Sequence, residues 1–231
     1  MPGVLRSAVG KKAVMAVSGI VLFGFVLGHM AGNLKLYLGR YADGPHAGEY
    51  EIDVYGEGLR QIGTPILGPG QALWIVRAVL LGAVALHIWS AWLLTRLSWS
   101  ARPERYAKLA PVQSTYAART MRWGGVILAL FVLFHLADLT FGWANPAFEP
   151  GRVRDNLVAS FQRLPVAGLY VLANLALGLH LFHGVWSLFQ SLGWNHPRFN
   201  PWRRVLAASF AALVTAGNVS FPIAVLAGVV R

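Results

Sequence analysis

The chain has 231 residues, of which 56% are hydrophobic and 13% charged, and its mean hydropathy is +0.52. A soluble domain carries roughly 25% charged residues, so this chain has too little charge to cover a globule and too much apolar surface to stay disordered. The absence of cysteine excludes a disulfide scaffold, a thiolate zinc site and a Cys-held iron–sulfur cluster. The net charge of +11 points to nucleic acid only at first glance. The basic residues lie between long apolar runs, which is the pattern of an integral membrane protein, with no nucleic-acid partner implied.

In chain order, five apolar runs are long enough to cross a bilayer, at about 13–34, 71–97, 120–143, 164–190 and 204–229. At ~1.5 Å rise per residue, runs of about 20 residues or more span ~30 Å of hydrocarbon. They do not alternate as barrel strands would. The expected fold is all-α, one transmembrane domain over residues 1–231, with the first four spans forming a bundle. The first run resembles a secretory signal at its basic start, but it is longer than a signal's apolar region and no clear small-x-small cleavage step follows, so it reads as a retained helix.

The loops set the orientation. One side receives Arg6, Lys11, Lys12, Arg96, Arg102, Arg105, Lys108, Arg119, Arg122, Arg198, Arg203 and Arg204 against one acid, Glu104; the other side holds the remaining eight Lys/Arg and eight acids. The positive-inside rule puts the N-terminus and the 98–119 loop in the cytoplasm and, with five spans, the C-terminus outside a cytoplasmic membrane. The basic face then meets anionic lipid or an acidic partner. The longest connection, 35–70, is Gly-rich, acidic and aromatic, and reads as an outer loop.

Five of the seven histidines fall within the first four spans: His29, His87, His135, His180 and His183. His46 and His196 fall in loops and read as solvated. Ionisable residues in hydrocarbon are candidates for function. His29 lies 17 residues after Lys12, and His135 lies 13 after Arg122. These intervals are roughly 25 Å and 20 Å up their helices. His87 lies nine residues before Arg96, and His180 ten before Gln190, or roughly 14 Å and 15 Å above the inner boundary. The histidines therefore form two tiers, His29 with His135 outside and His87 with His180 inside. Each tier draws on two helices. Two facing imidazoles at one depth suit the axial positions of a haem iron, which implies two haems and electron transfer rather than oxygen chemistry.

The flanking small residues, Gly19, Gly24, Gly28, Gly32, Gly82, Ala83, Gly124, Gly125, Gly178 and Gly184, have two readings: room for a flat macrocycle, or close helix packing. His183 is one turn from His180 on the same face, so either is placed to ligate. The other then reads as a propionate or quinone contact or as packing. Arg77, just inside span two, reads as a partner for an outer-haem propionate or as an arginine snorkelling to the surface. Arg119 and Arg122 stand similarly at the inner side.

From about Lys12 to Arg231 the chain resembles the single-subunit, five-helix, di-haem cytochrome b anchors of succinate dehydrogenase and quinol:fumarate reductase. The residues that carry the resemblance are S-G-I-V-L-F-G-F-V-L-G-H-M-A-G-N-L from Ser18 to Leu34, then Leu86-His87-Ile88 with the trailing Ala101-Arg102-Pro103. The most specific is Gly178-Leu-His180-Leu-Phe-His183-Gly184-Val-Trp186-Ser187. There the family ligand stands four residues before the glycine, which selects His180 over His183. The resemblance implies two b haems held by His29 with His135 and His87 with His180. It also implies a flavoprotein (FAD) subunit and an iron–sulfur subunit on the cytoplasmic side, and electron exchange with a membrane quinone, often menaquinone. Some members carry a glutamate two residues before the fourth-helix ligand as part of a proton route. Here that position is Gly178, which removes the group. Acids of the 35–70 loop (Glu49, Glu51, Asp53, Glu57) are candidates for handling quinone protons, or ordinary solvated residues. The alternatives are a cytochrome b subunit of a hydrogenase or formate dehydrogenase, which the fourth-helix motif fits less well, and a proton-coupled transporter. A transporter is disfavoured by unbroken spans and by the near absence of acids within them, Asp138 apart.

Overall fold

The computed structural model describes residues 7–101, 116–194 and 196–231, with the side chains of 116–120 undescribed. Arg6, Arg102, Glu104, Arg105 and Lys108 of the charge pattern, and the Arg102-Pro103 step, lie outside the described residues. Among these there are seven α-helices and no strand beyond one bridge between Arg40 and Tyr50. The helices are α1 (Ala8–Asn33), α2 (Glu51–Arg60), α3 (Gln71–Ser100), α4 (Tyr116–Leu139), α5 (Val153–Phe161), α6 (Leu164–Ser191) and α7 (Asn200–Leu226). Five of them, α1, α3, α4, α6 and α7, are long and apolar enough to cross a membrane. The chain is an all-α membrane protein.

Local chemistry sets the helix ends. Ser7 caps α1, its Oγ accepting from the Gly10 N–H at 2.9 Å, which satisfies one of the orphan donors of the first turn. A proline stands in the first turn of α6 and of α7, where its missing N–H is not needed. The third span is shorter than its apolar run. α4 stops at Leu139 rather than 143, because the Thr140 and Phe141 amides both turn back to the Leu136 carbonyl and Gly142 takes φ +75°. That left-handed conformation suits glycine and closes the helix.

The connections also depart from a plain loop reading. Residues 35–70 contain α2, and the fourth span is preceded by α5. Both lie at the end of the bundle opposite the Lys/Arg-rich end. Ile52 of α2 and Leu157, Val158 and Phe161 of α5 are buried with Leu36, Tyr170, Phe221, Val225 and Val230, so the two short helices form an apolar lid over that end. A second buried cluster joins α6 to α7 through Leu181, Val185, Ala207, Phe210, Ala211 and Val214. Phe23 of α1 stacks on Phe210 at 3.8 Å. Exposed tryptophans mark both ends: Trp99, Trp123, Trp194 and Trp202 at the basic end, Trp74 and Trp143 at the other. Amphipathic indoles settle at the two membrane–water boundaries.

α7 packs most extensively on α6 and also touches α1. Two glycines permit this. A Cβ at Gly178 would collide with Thr215 Oγ1, and one at Gly217 would come 2.6 Å from Met30 Sδ. Gly178→Val should therefore cost about 1–3 kcal/mol by overpacking. Gly168→Ala, where nothing described lies within 4 Å, should leave stability unchanged or raise it by up to about 1 kcal/mol, since alanine is the better helix former. Thermal unfolding in detergent distinguishes the two.

Candidate functional site

Four of the five histidines within the spans meet in two pairs. The His29 ring of α1 faces His135 of α4 with centroids 5.9 Å apart and planes at 85°. The His87 ring of α3 faces His180 of α6 at 6.2 Å and 62°. Neither pair is stacked face to face. His183 belongs to neither. Its ring contact is edge-on to Trp186 at 6.2 Å, and its buried Nδ1 has no hydrogen-bond partner among the described residues.

The nitrogens are not equivalent. His135 Nδ1 lies 3.3 Å from the Tyr170 hydroxyl, and His87 Nδ1 lies 3.3 Å from Ser18 Oγ. His180 Nδ1 is buried without a partner among the described residues. His29 differs in that its Nε2 lies 3.3 Å from the Asn33 side-chain amide one turn on. Use of that nitrogen elsewhere requires Asn33 to let go.

The glycines separate into three kinds. Among the described residues a Cβ at Gly24, Gly28, Gly82 or Gly124 would meet nothing within 4 Å, so these are not close-packing positions. Gly19 and Gly125 back the His87–His180 pair: a Cβ there would lie 3.5 Å from His87 Cε1 and 3.9 Å from His180 Cε1 respectively. Gly178, by contrast, is a packing glycine against α7, and Gly32 lies against the Tyr55 ring.

Arg77 is exposed, with its guanidinium over the Trp74 ring at 4.8 Å. No described contact joins it to either histidine pair. Arg122 lies over Trp99 at 5.6 Å. The loop acids are each engaged locally. Glu49 pairs with His46 at 3.3 Å and Glu51 with Lys35 at 3.7 Å. Asp53 accepts from the Arg154 backbone N–H at 2.9 Å, and Glu57 pairs with Arg60 at 3.5 Å. Glu51 and Asp53 tie α2 to its surroundings, whereas the Glu57 pair lies within α2 and the Glu49 pair within the loop before it.

The sequence reading missed a buried polar cluster beside the His29–His135 pair. Asp138, one turn beyond His135, is fully buried. Its Oδ1 accepts from Arg163 Nη2 at 2.5 Å, and its Oδ2 accepts from the Ser160 and Tyr170 hydroxyls, the latter at 2.9 Å. Arg163 Nη1 also donates to the Ala144 carbonyl at 2.6 Å. Tyr170 is ringed by Phe131, Phe134 and Phe161 at 4.8–6.1 Å. A signal was present. Tyr170 precedes His180 by ten residues, roughly 15 Å along the helix, which places it toward the outer end of that span.

Among the described residues no three His, Cys, Asp or Glu side chains gather as a metal site built from protein alone; the histidines meet in twos. The chain matches no family model, no curated protein and no solved structure. Fold and side chains together define a class: a multi-pass α-helical membrane protein with two facing imidazole pairs inside its first four spans.

Asp138→Asn should unfold the protein early. It leaves Arg163 facing a neutral amide in a buried cluster, a change that costs about 3 kcal/mol, the lower end of the usual range because the Arg163 side chain is 31% exposed. Adding Arg163→Met should recover part of that loss, read as non-additivity of the melting shifts.

Proposed function

We propose that the chain is the di-haem cytochrome b anchor of a succinate:quinone oxidoreductase. In this reading it holds one haem b between His29 and His135 and another between His87 and His180. The observation that carries the reading is the spacing of the two pairs. Two imidazoles holding one iron between them would have centroids roughly 6.3 Å apart, given a metal–nitrogen bond of about 2 Å and the radius of the ring. The rings here stand at 5.9 and 6.2 Å. The donor chemistry agrees, since neutral imidazole in an apolar interior is a good iron ligand. Among the described residues, buried His180 Nδ1 has no hydrogen-bond partner.

When bound, haem supplies a one-electron carrier, and two imidazole ligands leave no position for oxygen. The chain's own residues do the rest. Four separate helices fix the imidazoles, so their spacing depends on bundle packing rather than on one flexible segment. The apolar spans exclude water, and burial and hydrogen bonding set the potentials. The assignment to the succinate/fumarate family, with flavoprotein and iron–sulfur subunits docked on a cytoplasmic basic face and with quinone, often menaquinone, as the membrane partner, rests on the first- and fourth-helix motifs. The orientation rests on the distribution of Lys and Arg. No proton route is assigned to the loop acids, and Gly178 supplies no ionisable group.

A reduced-minus-oxidised spectrum of the purified protein should show b-type bands, with two haems per chain. His29→Ala or His135→Ala should remove one haem and leave the other, and His87→Ala or His180→Ala should do the reverse. His183→Ala should retain both. Loss of a haem in His183→Ala with retention in His180→Ala would reverse the ligand choice. Co-purification with the two peripheral subunits, followed by assays of succinate, hydrogen and formate oxidation with quinone, separates the family assignment from the other cytochrome b classes.

A further inference from the structure

We propose that two hydroxyl acceptors, Tyr170 at His135 and Ser18 at His87, select the iron-binding nitrogen of one histidine in each pair and tune the two haems separately. The inference rests on the di-haem reading, but it is carried by a different observation, the direction of the hydrogen bonds.

A hydroxyl has one hydrogen to give. That of Tyr170 goes to Asp138 Oδ2 at 2.9 Å. Asp138 sits 2.5 Å from the Arg163 guanidinium and takes the Ser160 hydrogen as well, so it acts as an acceptor only. The Tyr170 oxygen therefore has only lone pairs to offer His135 Nδ1, 3.3 Å away. His135 must be the donor there. This makes it the Nδ1–H tautomer and leaves the lone pair of Nε2 for a metal. The same logic holds at the second pair by other means. The Ser18 hydrogen is directed to backbone carbonyls of its own helix, Val14 at 2.7 Å and Met15 at 3.2 Å. Its oxygen thus accepts from His87 Nδ1 at 3.3 Å; the Met15 carbonyl is a second acceptor at that ring, and Nε2 is left for a metal.

The arrangement is reciprocal. α1 supplies His29 to one pair and Ser18 to the other; α6 supplies His180 to one and Tyr170 to the other. Each pair thus has one imidazole held by a third helix. The partners differ in strength. Tyr170 is backed by a carboxylate that draws its hydrogen away, whereas Ser18 is backed only by neutral carbonyls. An acceptor on the far nitrogen raises the basicity of a metal-bound imidazole, which favours ferric over ferrous iron. Tyr170 should do this more than Ser18.

The test is a redox titration of the full chain in its membrane complex, followed by the absorption and low-temperature EPR of each haem. The haems are assigned through the single-histidine variants. Tyr170→Phe keeps the ring and removes the acceptor. It should raise the potential of the haem at His135 and leave the other unchanged, with two haems still bound. Removing such a partner usually costs 10–100-fold in metal affinity, and a tenfold loss falling on the ferric state alone is about 59 mV for a one-electron couple. Ser18→Ala should raise only the potential of the haem at His87, and by less. Two retained haems with unmoved potentials, or equal shifts of both haems in either variant, would overturn the inference alone. Should Tyr170→Phe lose its haem, Ser18→Ala still decides: an unmoved potential at His87 overturns it. Absence of b-type bands from the wild-type protein overturns the di-haem reading itself, and this inference with it.

Discussion

Hydrocarbon cannot hydrogen-bond, and every polar side chain placed in it has to be met by another protein group or by a ligand. Most features of this protein follow from that constraint. Its spans carry few polar groups. Several of those they carry are gathered: four imidazoles into two facing pairs, and the Asp138 carboxylate into a cluster that gives its two oxygens three donors, while His183 Nδ1 and Thr215 Oγ1 are buried with no partner among the described residues. A carboxylate at that position without Arg163, Ser160 and Tyr170 would be an uncompensated buried charge. With them it becomes a fixed acceptor, and its influence reaches the nearby histidine pair through one phenol oxygen.

The helices divide the work. α1, α3, α4 and α6 carry the imidazoles. α7 carries none and braces α6, with Gly178 and Gly217 allowing close approach. The short helices α2 and α5 close one end with an apolar lid whose core includes Tyr170. The lid therefore holds the same phenol that faces His135. Packing at the end of the bundle and hydrogen bonding at an imidazole thus meet in one residue.

Much of this was legible before any coordinates. Counting residues from Lys12, Arg122, Arg96 and Gln190 puts the histidines at two depths, because a helix advances by a constant rise and these polar residues mark the boundary. The structure brings together the same four residues in the same two pairs. The short helices were not legible. α2 and α5 bury only a few apolar side chains each, too few to stand out from Gly- and Asp-rich surroundings. The end of span three differs because Phe141 and Trp143 carry the aromatic run past Leu139, while the left-handed Gly142 stops the helix. The glycines near the histidines read equally as room or as close packing. Which glycine serves which purpose depends on what faces it, and that is a property of the neighbouring helix.

The sequence by itself determined the class, the number of spans and the levels of the histidines, since hydropathy, charge and helical rise are local quantities that add along one chain. Only the tertiary structure decided which nitrogen is tethered, that Asp138 and Arg163 stand behind Tyr170, and that α1 and α6 each serve both pairs. These depend on the rotation of separate helices about their own axes, which is set by mutual packing and not by the composition of any one of them.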